Sequence, residues 1–208
     1  MNFVECKKQQ QDTAAWLAGK NFTVFGTLKF TFGHNVTGWH GEKLLRKFFN
    51  KLDIIYLGSN LVDSGCRIER AVFMHTGTSG SNLHYHFLAN PIGDIGFFCE
   101  TARCVWAEIS DFTMGFKNTL VDEVRNLEAS GIYCGHEFWV HGADTIVLAV
   151  SHNAGPRLTT NPIYAQRRLD KRREKNEMTK QLEYDRAISA TDRRLGKTRN
   201  IAENTAKH

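Results

Sequence analysis

Residues that cross-link or interrupt a chain are scarce in this sequence. It has three prolines in 208 residues, and its five cysteines are scattered without a Cys-x-x-Cys pair. An odd number of isolated cysteines argues against a disulfide framework and against a structural zinc cluster. No segment approaches the roughly 18 consecutive apolar residues of a membrane-spanning helix. We therefore expect free thiols and no membrane partner.

The first ten residues lack the apolar core of a secretory signal. They include Glu5, Lys7 and Lys8 and are too polar for that role. The chain as a whole has 41% hydrophobic and 11% aromatic residues, a composition that argues against general disorder. These features predict a cytoplasmic protein with one main folded domain.

Positive charge is concentrated at the C-terminal end. Residues 1–164 contain 14 Lys and Arg against 15 Asp and Glu, whereas residues 165–208 contain 13 against 7. A basic segment attached to a near-neutral domain fits contact with nucleic acid, because neutralising phosphates releases counterions. A solvated helix of mixed charge is the alternative interpretation. The candidate DNA-binding residues are Arg167, Arg168, Lys171, Arg172 and Arg173.

Hydrophobic periodicity and capping residues predict a mixture of strands and helices. Strands are expected at residues 21–32, 67–75, 84–89, 120–126 and 145–150. Helices are expected at residues 12–19, 41–53, 97–109 and 127–136, the last capped by Asn126. A short Gly/Ser turn makes the second and third strands a β-hairpin, and residues 54–57 are expected to form a short extended piece.

This order of elements predicts an α+β fold, in which helices pack on one antiparallel sheet. We expect an N-terminal helical lead at residues 1–20 and the main domain at 21–152. A linker follows at 153–164, where two of the three prolines lie. The basic C-terminal tail at 165–208 is expected to be helical or disordered, because it has no broad apolar stripe.

Two histidines stand two positions apart, as His84-Tyr85-His86, in one of the predicted strands. Successive strand side chains alternate between faces, so both imidazoles project from one face while Tyr85 points to the other. Two such imidazoles can chelate a divalent metal. His75 ends the preceding strand, and the hairpin brings it close to His84. Hydrogen-bonded histidines on a half-exposed strand are the alternative for all three.

A tyrosine about fifty residues further along has a histidine as its neighbour. Tyr133 and His136 stand three positions apart, which places them on one face if residues 127–136 are helical. A protonated tyrosine is a weak nucleophile, so it needs a polarised electrophile or a nearby base. Packing of the two side chains without catalysis is the alternative.

Together these motifs, in this order, resemble those of the HUH endonucleases, specifically the rolling-circle replication initiators of small plasmids and single-stranded DNA viruses or phages. The resemblance covers about residues 22–139. Residues 25–32 are similar to the first strand motif of that family, 83–87 to its histidine–hydrophobic–histidine motif and 132–137 to its tyrosine motif. Residues 97–106 resemble the helix that follows in many plasmid and phage members.

The resemblance implies an HUH/RRM-like two-layer sandwich with a five-stranded antiparallel sheet. The histidines would lie at the centre of the sheet, with the tyrosine on a helix facing them. It also implies that Tyr133 attacks a phosphodiester of single-stranded DNA, leaving a 5′-phosphotyrosyl link and a free 3′-OH. His84 and His86 would hold Mg²⁺ or Mn²⁺, which polarises the scissile phosphate.

Two positions depart from the family pattern. The third metal ligand of the family is often a carboxylate on the strand before the histidines, where this chain has His75. Glu69 on the same strand, with the same alternation, is the other candidate. A three-histidine site shifts the expected metal toward Mn²⁺ or other transition metals. The motif lysine is replaced by His136, which can position a phosphate or exchange a proton but is not a fixed positive charge.

The predicted activity is nicking and rejoining of origin DNA by a single tyrosine. Residues 196–198 are Gly-Lys-Thr, but Thr191 stands where a phosphate-binding loop needs glycine. We therefore expect a separate helicase to unwind the DNA. A relaxase or single-tyrosine transposase would use the same chemistry, and a catalytically inert module that binds single-stranded nucleic acid is a further alternative. The oligomeric state is left open.

Overall fold

The computed structural model describes residues 2–31, 35–77, 79–152 and Glu174. The chain divides into two units, Met1–Ala165 and Gln166–His208. The helices of the first unit are α1 (Phe3–Ala18), α2 (Gly38–Leu57), α3 (Ser59–Asp63), α4 (Ile95–Ile109), α5 (Leu127–Cys134) and α6 (Phe138–His141), with 3₁₀ turns at Phe116–Asn118 and Gly142–Thr145. Its strands are β1 (Val24–Lys29), β2 (Glu69–His75), β3 (His84–Asn90) and β4 (Leu120–Glu123). The predicted linker and the basic residues of the tail lie outside the described residues.

The four strands form one antiparallel sheet in the order β2-β3-β1-β4. The predicted hairpin is confirmed, because β2 and β3 pair with His75 opposite His84. On the other side of β3, Thr27 of β1 lies opposite His86. The mixed α+β class with a single antiparallel sheet is therefore as expected. None of the helices in the described part of the chain has both the length and the apolar character needed to cross a membrane.

The strand predicted at residues 145–150 does not form, so the described residues give four strands where five were expected. Ile146 and His152 make isolated bridges to β2, and the backbone turns between them. Two side chains form hydrogen bonds with backbone groups that neighbouring strands would otherwise have paired. Arg70 Nε donates to the Val150 carbonyl at 2.8 Å, and Ser151 Oγ accepts from the Val72 N–H at 3.0 Å. The local apolar run could not reveal these contacts.

Two helices are longer than their sequence signals indicated. α1 begins after Asn2, whose side chain forms a capping box with Glu5, rather than near residue 12. α2 continues to Leu57, so the extended piece expected at residues 54–57 is wrong. The apolar stripe of α2 extends through Ile55 and Tyr56, which are both buried. Burial of that stripe outweighs the strand preference of the two consecutive isoleucines.

Helices cover both faces of the sheet, in contrast to the expected two-layer sandwich. On one face Phe48 of α2 contacts Phe87 of β3 and Trp106 of α4, with ring centroids 6.2 and 5.4 Å apart. On the other face α1, α5 and α6 pack over a cluster that includes Leu17, Phe22, Ala71, Phe73, Leu88, Cys134 and Phe138. The additional helical layer forms because both faces of β2 and β3 carry apolar side chains.

Candidate metal and tyrosine site

The sheet register brings together the three histidines that the sequence singles out. His75 lies opposite His84, and His86 is two positions further along β3 on the same face. The ring centroids of His75 are 5.4 Å from those of His84 and 4.5 Å from those of His86, and the latter two are 4.9 Å apart. All three side chains are buried. We call this group the histidine triad.

Each ring of the triad uses one nitrogen in a hydrogen bond and leaves the other for a ligand. His75 Nε2 donates to the Cys134 carbonyl at 2.8 Å, and His84 Nδ1 donates to the Asn82 carbonyl at 2.7 Å, since a carbonyl can only accept. His86 Nδ1 lies 3.0 Å from Thr27 Oγ1. Metal-binding histidines typically have such a hydrogen bond on the second nitrogen, because it fixes the tautomer and the ring orientation.

The nitrogens that remain are short of partners. Among the described residues, the buried His75 Nδ1 and His86 Nε2 have no hydrogen-bond partner. An unpartnered buried polar atom is costly unless something else binds it. The ligating nitrogens of the three rings lie within 4.8 Å of one another. The triad can therefore hold one metal ion.

Burial keeps the triad in the neutral form that binds metals. Loss of hydration lowers the pKa of His75 to about 4, although its bond to the Cys134 carbonyl acts in the opposite direction. Burial and then the neighbouring His75 and His84 lower the pKa of His86 to about 2. The pKa of His84 is also lowered, again mainly by burial. Near neutral pH the lone pairs of all three rings are available.

Tyr133 lies against this triad at the end of α5. Its ring centroid is 4.8 Å from that of His86, and its side chain is 49% exposed. The predicted cap is confirmed, since the Asn126 side chain accepts from the Ala129 N–H and starts the helix one residue later. Tyr133 thus combines contact with the triad and access from solvent.

His136 lies beside Tyr133, although the helix ends before it. α5 stops at Cys134 with Gly135 as its C-cap, so the helix is two residues shorter than expected. His136 Nδ1 donates to the Tyr133 carbonyl at 2.6 Å, and the two rings stack with centroids 5.0 Å apart. The expected proximity therefore arises from a turn rather than from a shared helix face.

Glu69, the other candidate for the third ligand, lies at the opposite end of β2. It pairs with Asn90 and accepts from the Asn90 amide at 3.0 Å, and Lys20 Nζ lies 3.6 Å from it. Glu69 lies six positions from His75 along the strand, which corresponds to about 20 Å. Glu69 is therefore too far away to bind the same ion.

Glu137 is a part of this site that the sequence did not single out. It is 3% exposed and accepts from the N–H groups of Thr76 and Gly77 at 2.7 and 2.9 Å. Burial alone would raise the pKa of Glu137, but these hydrogen bonds and the nearby imidazoles outweigh it and lower the pKa. His136 Nε2 and His141 Nε2 lie 3.7 and 3.5 Å from the carboxylate.

The contacts of Glu137 join the turn after α5 to the end of β2. Its carboxylate, together with His75 and His136, is also a second group that can hold a metal ion. The acidic residue after His136 was visible in the motif, but the backbone partners that bury it lie about 60 residues away in the chain.

The five basic tail residues proposed to contact DNA lie outside the described residues. Comparison of the chain with protein-family models, curated proteins and solved structures finds no match.

Proposed function

We propose that this chain is a metal-dependent tyrosine endonuclease of the HUH type. It nicks and rejoins single-stranded DNA at an origin and thereby initiates rolling-circle replication. The observation that carries the proposal is the contact between Tyr133 and His86 of a buried histidine triad with unpartnered nitrogens. The resemblance of the three sequence motifs supports the same conclusion.

The donor set fits a divalent ion. His75 would contribute Nδ1, and His84 and His86 would each contribute Nε2, because the other nitrogens already form hydrogen bonds. Three imidazoles favour Mn²⁺ over Mg²⁺, which prefers oxygen ligands. When bound, the ion would polarise the scissile phosphate and stabilise the departing 3′ oxygen.

Tyr133 is the proposed nucleophile. Its Oη attacks phosphorus, so that a P–Oη bond forms and the bond from phosphorus to the 3′ oxygen breaks. His136 is the proposed carrier of the phenol proton, which ends on the released 3′ oxygen. Its Nδ1–H is occupied by the Tyr133 carbonyl, so the neutral ring has its lone pair on Nε2. Attack of the 3′-OH on the phosphotyrosine reverses these steps and rejoins the strand.

The test is covalent capture of DNA. The protein is incubated with Mn²⁺ and a labelled, randomised single-stranded library, and adducts that survive denaturing electrophoresis are isolated. We expect an adduct for the wild type, none for Tyr133→Phe, and a loss of more than about 10-fold for His86→Ala, because changes to second-shell partners alone commonly cost about 10- to 100-fold.

His40→Ala, which removes a histidine of α2 outside the triad, is the matched control and should keep the adduct. Persistence of the adduct in Tyr133→Phe would refute the nucleophile assignment. Binding of the library without any adduct, with every divalent metal tried, would favour an inert binding module.

A further inference from the structure

A cavity of about 580 Å³ lies directly beside Tyr133, between α5 and the free edge of the sheet. β4 provides one wall, and Tyr133 and the first turns of α5 provide the other. Its lining residues include Phe25, Leu120, Asp122, Arg125, Ala129 and Tyr133. Among the described residues β4 is the last strand of the sheet, so no further described strand pairs with it on that side.

The cavity exists because one face of α5 has small side chains. Asn126, Ala129, Ser130 and Tyr133 recur at helical spacing on the face that lines it. The opposite face packs on α1, where Gly131 approaches so closely that a Cβ would lie 3.2 Å from the Ala14 Cα. Ala129 and Ser130 leave the space that a larger side chain would fill. α1 therefore packs against the side of α5 that faces away from the cavity.

Aromatic and apolar groups form the inner surface. Phe25 stacks on His86 with centroids 5.6 Å apart and an interplanar angle of 14°, and Tyr133 meets its edge at 6.3 Å. Leu120 lies opposite Thr27, the residue that contacts His86. Phe25 and Tyr133 thus line the cavity and also contact His86 of the triad, and the aromatic floor is suited to stacking.

The charges at the rim give no net attraction for a phosphate. Among the described residues that line the cavity, Asp122 and Glu123 are acidic and Arg125 is basic, and Asp122 forms an ion pair with Arg103, so the charges balance. A rim without net positive charge does not attract the DNA backbone, whereas an aromatic floor favours an uncharged planar group. We propose that this cavity binds one unpaired nucleobase of the strand that Tyr133 cleaves, next to the scissile phosphate. That this neighbouring phosphate is the one cleaved rests on the proposed nicking activity.

The test measures binding separately from cleavage. A single-stranded oligonucleotide is selected by affinity from a random library in EDTA, and abasic sites are then placed at each position in turn. Stacking of one base corresponds to about 5- to 150-fold in affinity. We expect a loss of that size at one position, and that position should adjoin the phosphate found in the covalent adduct. A uniform, small effect at all positions would refute the cavity as a base site.

Two matched substitutions on α5 localise the effect. Ala129→Trp fills the cavity, whereas Glu128→Trp adds the same side chain at a neighbouring exposed position that does not line it. We expect Ala129→Trp to bind the intact and the abasic oligonucleotide equally, and Glu128→Trp to retain the wild-type difference. Ala129→Leu, a smaller filling, serves if the melting temperature of Ala129→Trp shows that it does not fold.

The proposal is overturned if the filled variants discriminate as the wild type does. An affinity that depends on one base, without any covalent adduct, would support the base site and refute the nicking activity. A covalent adduct without base-dependent affinity would support the nicking activity and refute the base site.

Discussion

Acidification should destabilise the metal-free protein strongly between pH 7 and pH 5. His75 and His86 are buried as neutral rings with pKa values lowered to about 4 and about 2, whereas an unfolded imidazole titrates near pH 6.5. Below pH 6.5 the unfolded state therefore binds more protons than the folded state. The free energy of unfolding must fall as the pH falls.

The size of this loss follows from the two shifts. At pH 5 each ring stays neutral in the folded protein and is protonated in the unfolded chain, which costs about 2 kcal/mol per ring. The two rings together cost about 4 kcal/mol, a large part of the 5–15 kcal/mol typical of a domain. The lowered pKa of Glu137 does not oppose this, because its contribution is lost only at lower pH, as the pH falls through its folded pKa.

Urea unfolding at pH 7, 6 and 5 in EDTA measures the effect. His86→Gln should lose about half of the pH dependence, whatever its stability at pH 7, and His40→Gln should keep all of it. Saturating Mn²⁺ should raise stability by a similar amount at pH 7 and at pH 5, since the rings of His75 and His86 are neutral in the folded protein at both pH values. A wild type as stable at pH 5 as at pH 7 in EDTA would refute the neutral, buried triad.

Three further outcomes test the fold and the tail. Asp53→Asn should lower the free energy of unfolding, measured in urea, by about 3–5 kcal/mol, because it leaves the buried Arg70 without its bidentate carboxylate partner. A decrease below about 1 kcal/mol would contradict this. Gly26→Ala should lower the free energy of unfolding by about 1–3 kcal/mol, because its Cβ would overlap the Phe87 ring. Gly38→Ala is the control and should not be destabilised, since there is open space around that position. Equal melting temperatures of the two variants would exclude the overlap. Replacing the five basic tail residues with glutamine should flatten the salt dependence of DNA binding by up to about 3–4 in log–log slope, and an unchanged slope would show that they do not contact DNA.

Local patterns predicted the elements that depend on local interactions. The hairpin, the cap at Asn126 and the α2 stripe each follow from residues within a few positions of one another. The strand expected at residues 145–150 failed for the opposite reason. Its conformation depends on Arg70, a residue 80 positions away from the carbonyl to which it donates.

In the candidate site, too, the sequence predicted the features that depend on local pattern and missed the contacts between distant residues. Alternation and hairpin register predicted that His75, His84 and His86 would meet. The partners that fix the rings could not be predicted, since Thr27 and Cys134 are each 59 positions away from the histidine they contact. Glu69 shares the alternation of His75, but parity along a strand says which face a side chain is on and not how far along it lies.

His75 connects β2 to the end of α5 in addition to its proposed role as a metal ligand. Its Nε2–H donates to the carbonyl of Cys134, the residue after Tyr133, while its Nδ1 has no hydrogen-bond partner among the described residues. If the triad binds an ion, this one planar ring sets the spacing between the ion and the helix that carries Tyr133, the proposed nucleophile. An aspartate here could bind the ion, but a carboxylate has no proton for that carbonyl, and two acceptors would face each other. In this chain the proposed third ligand and the position of Tyr133 therefore depend on the same histidine ring, and a substitution of His75 would change both.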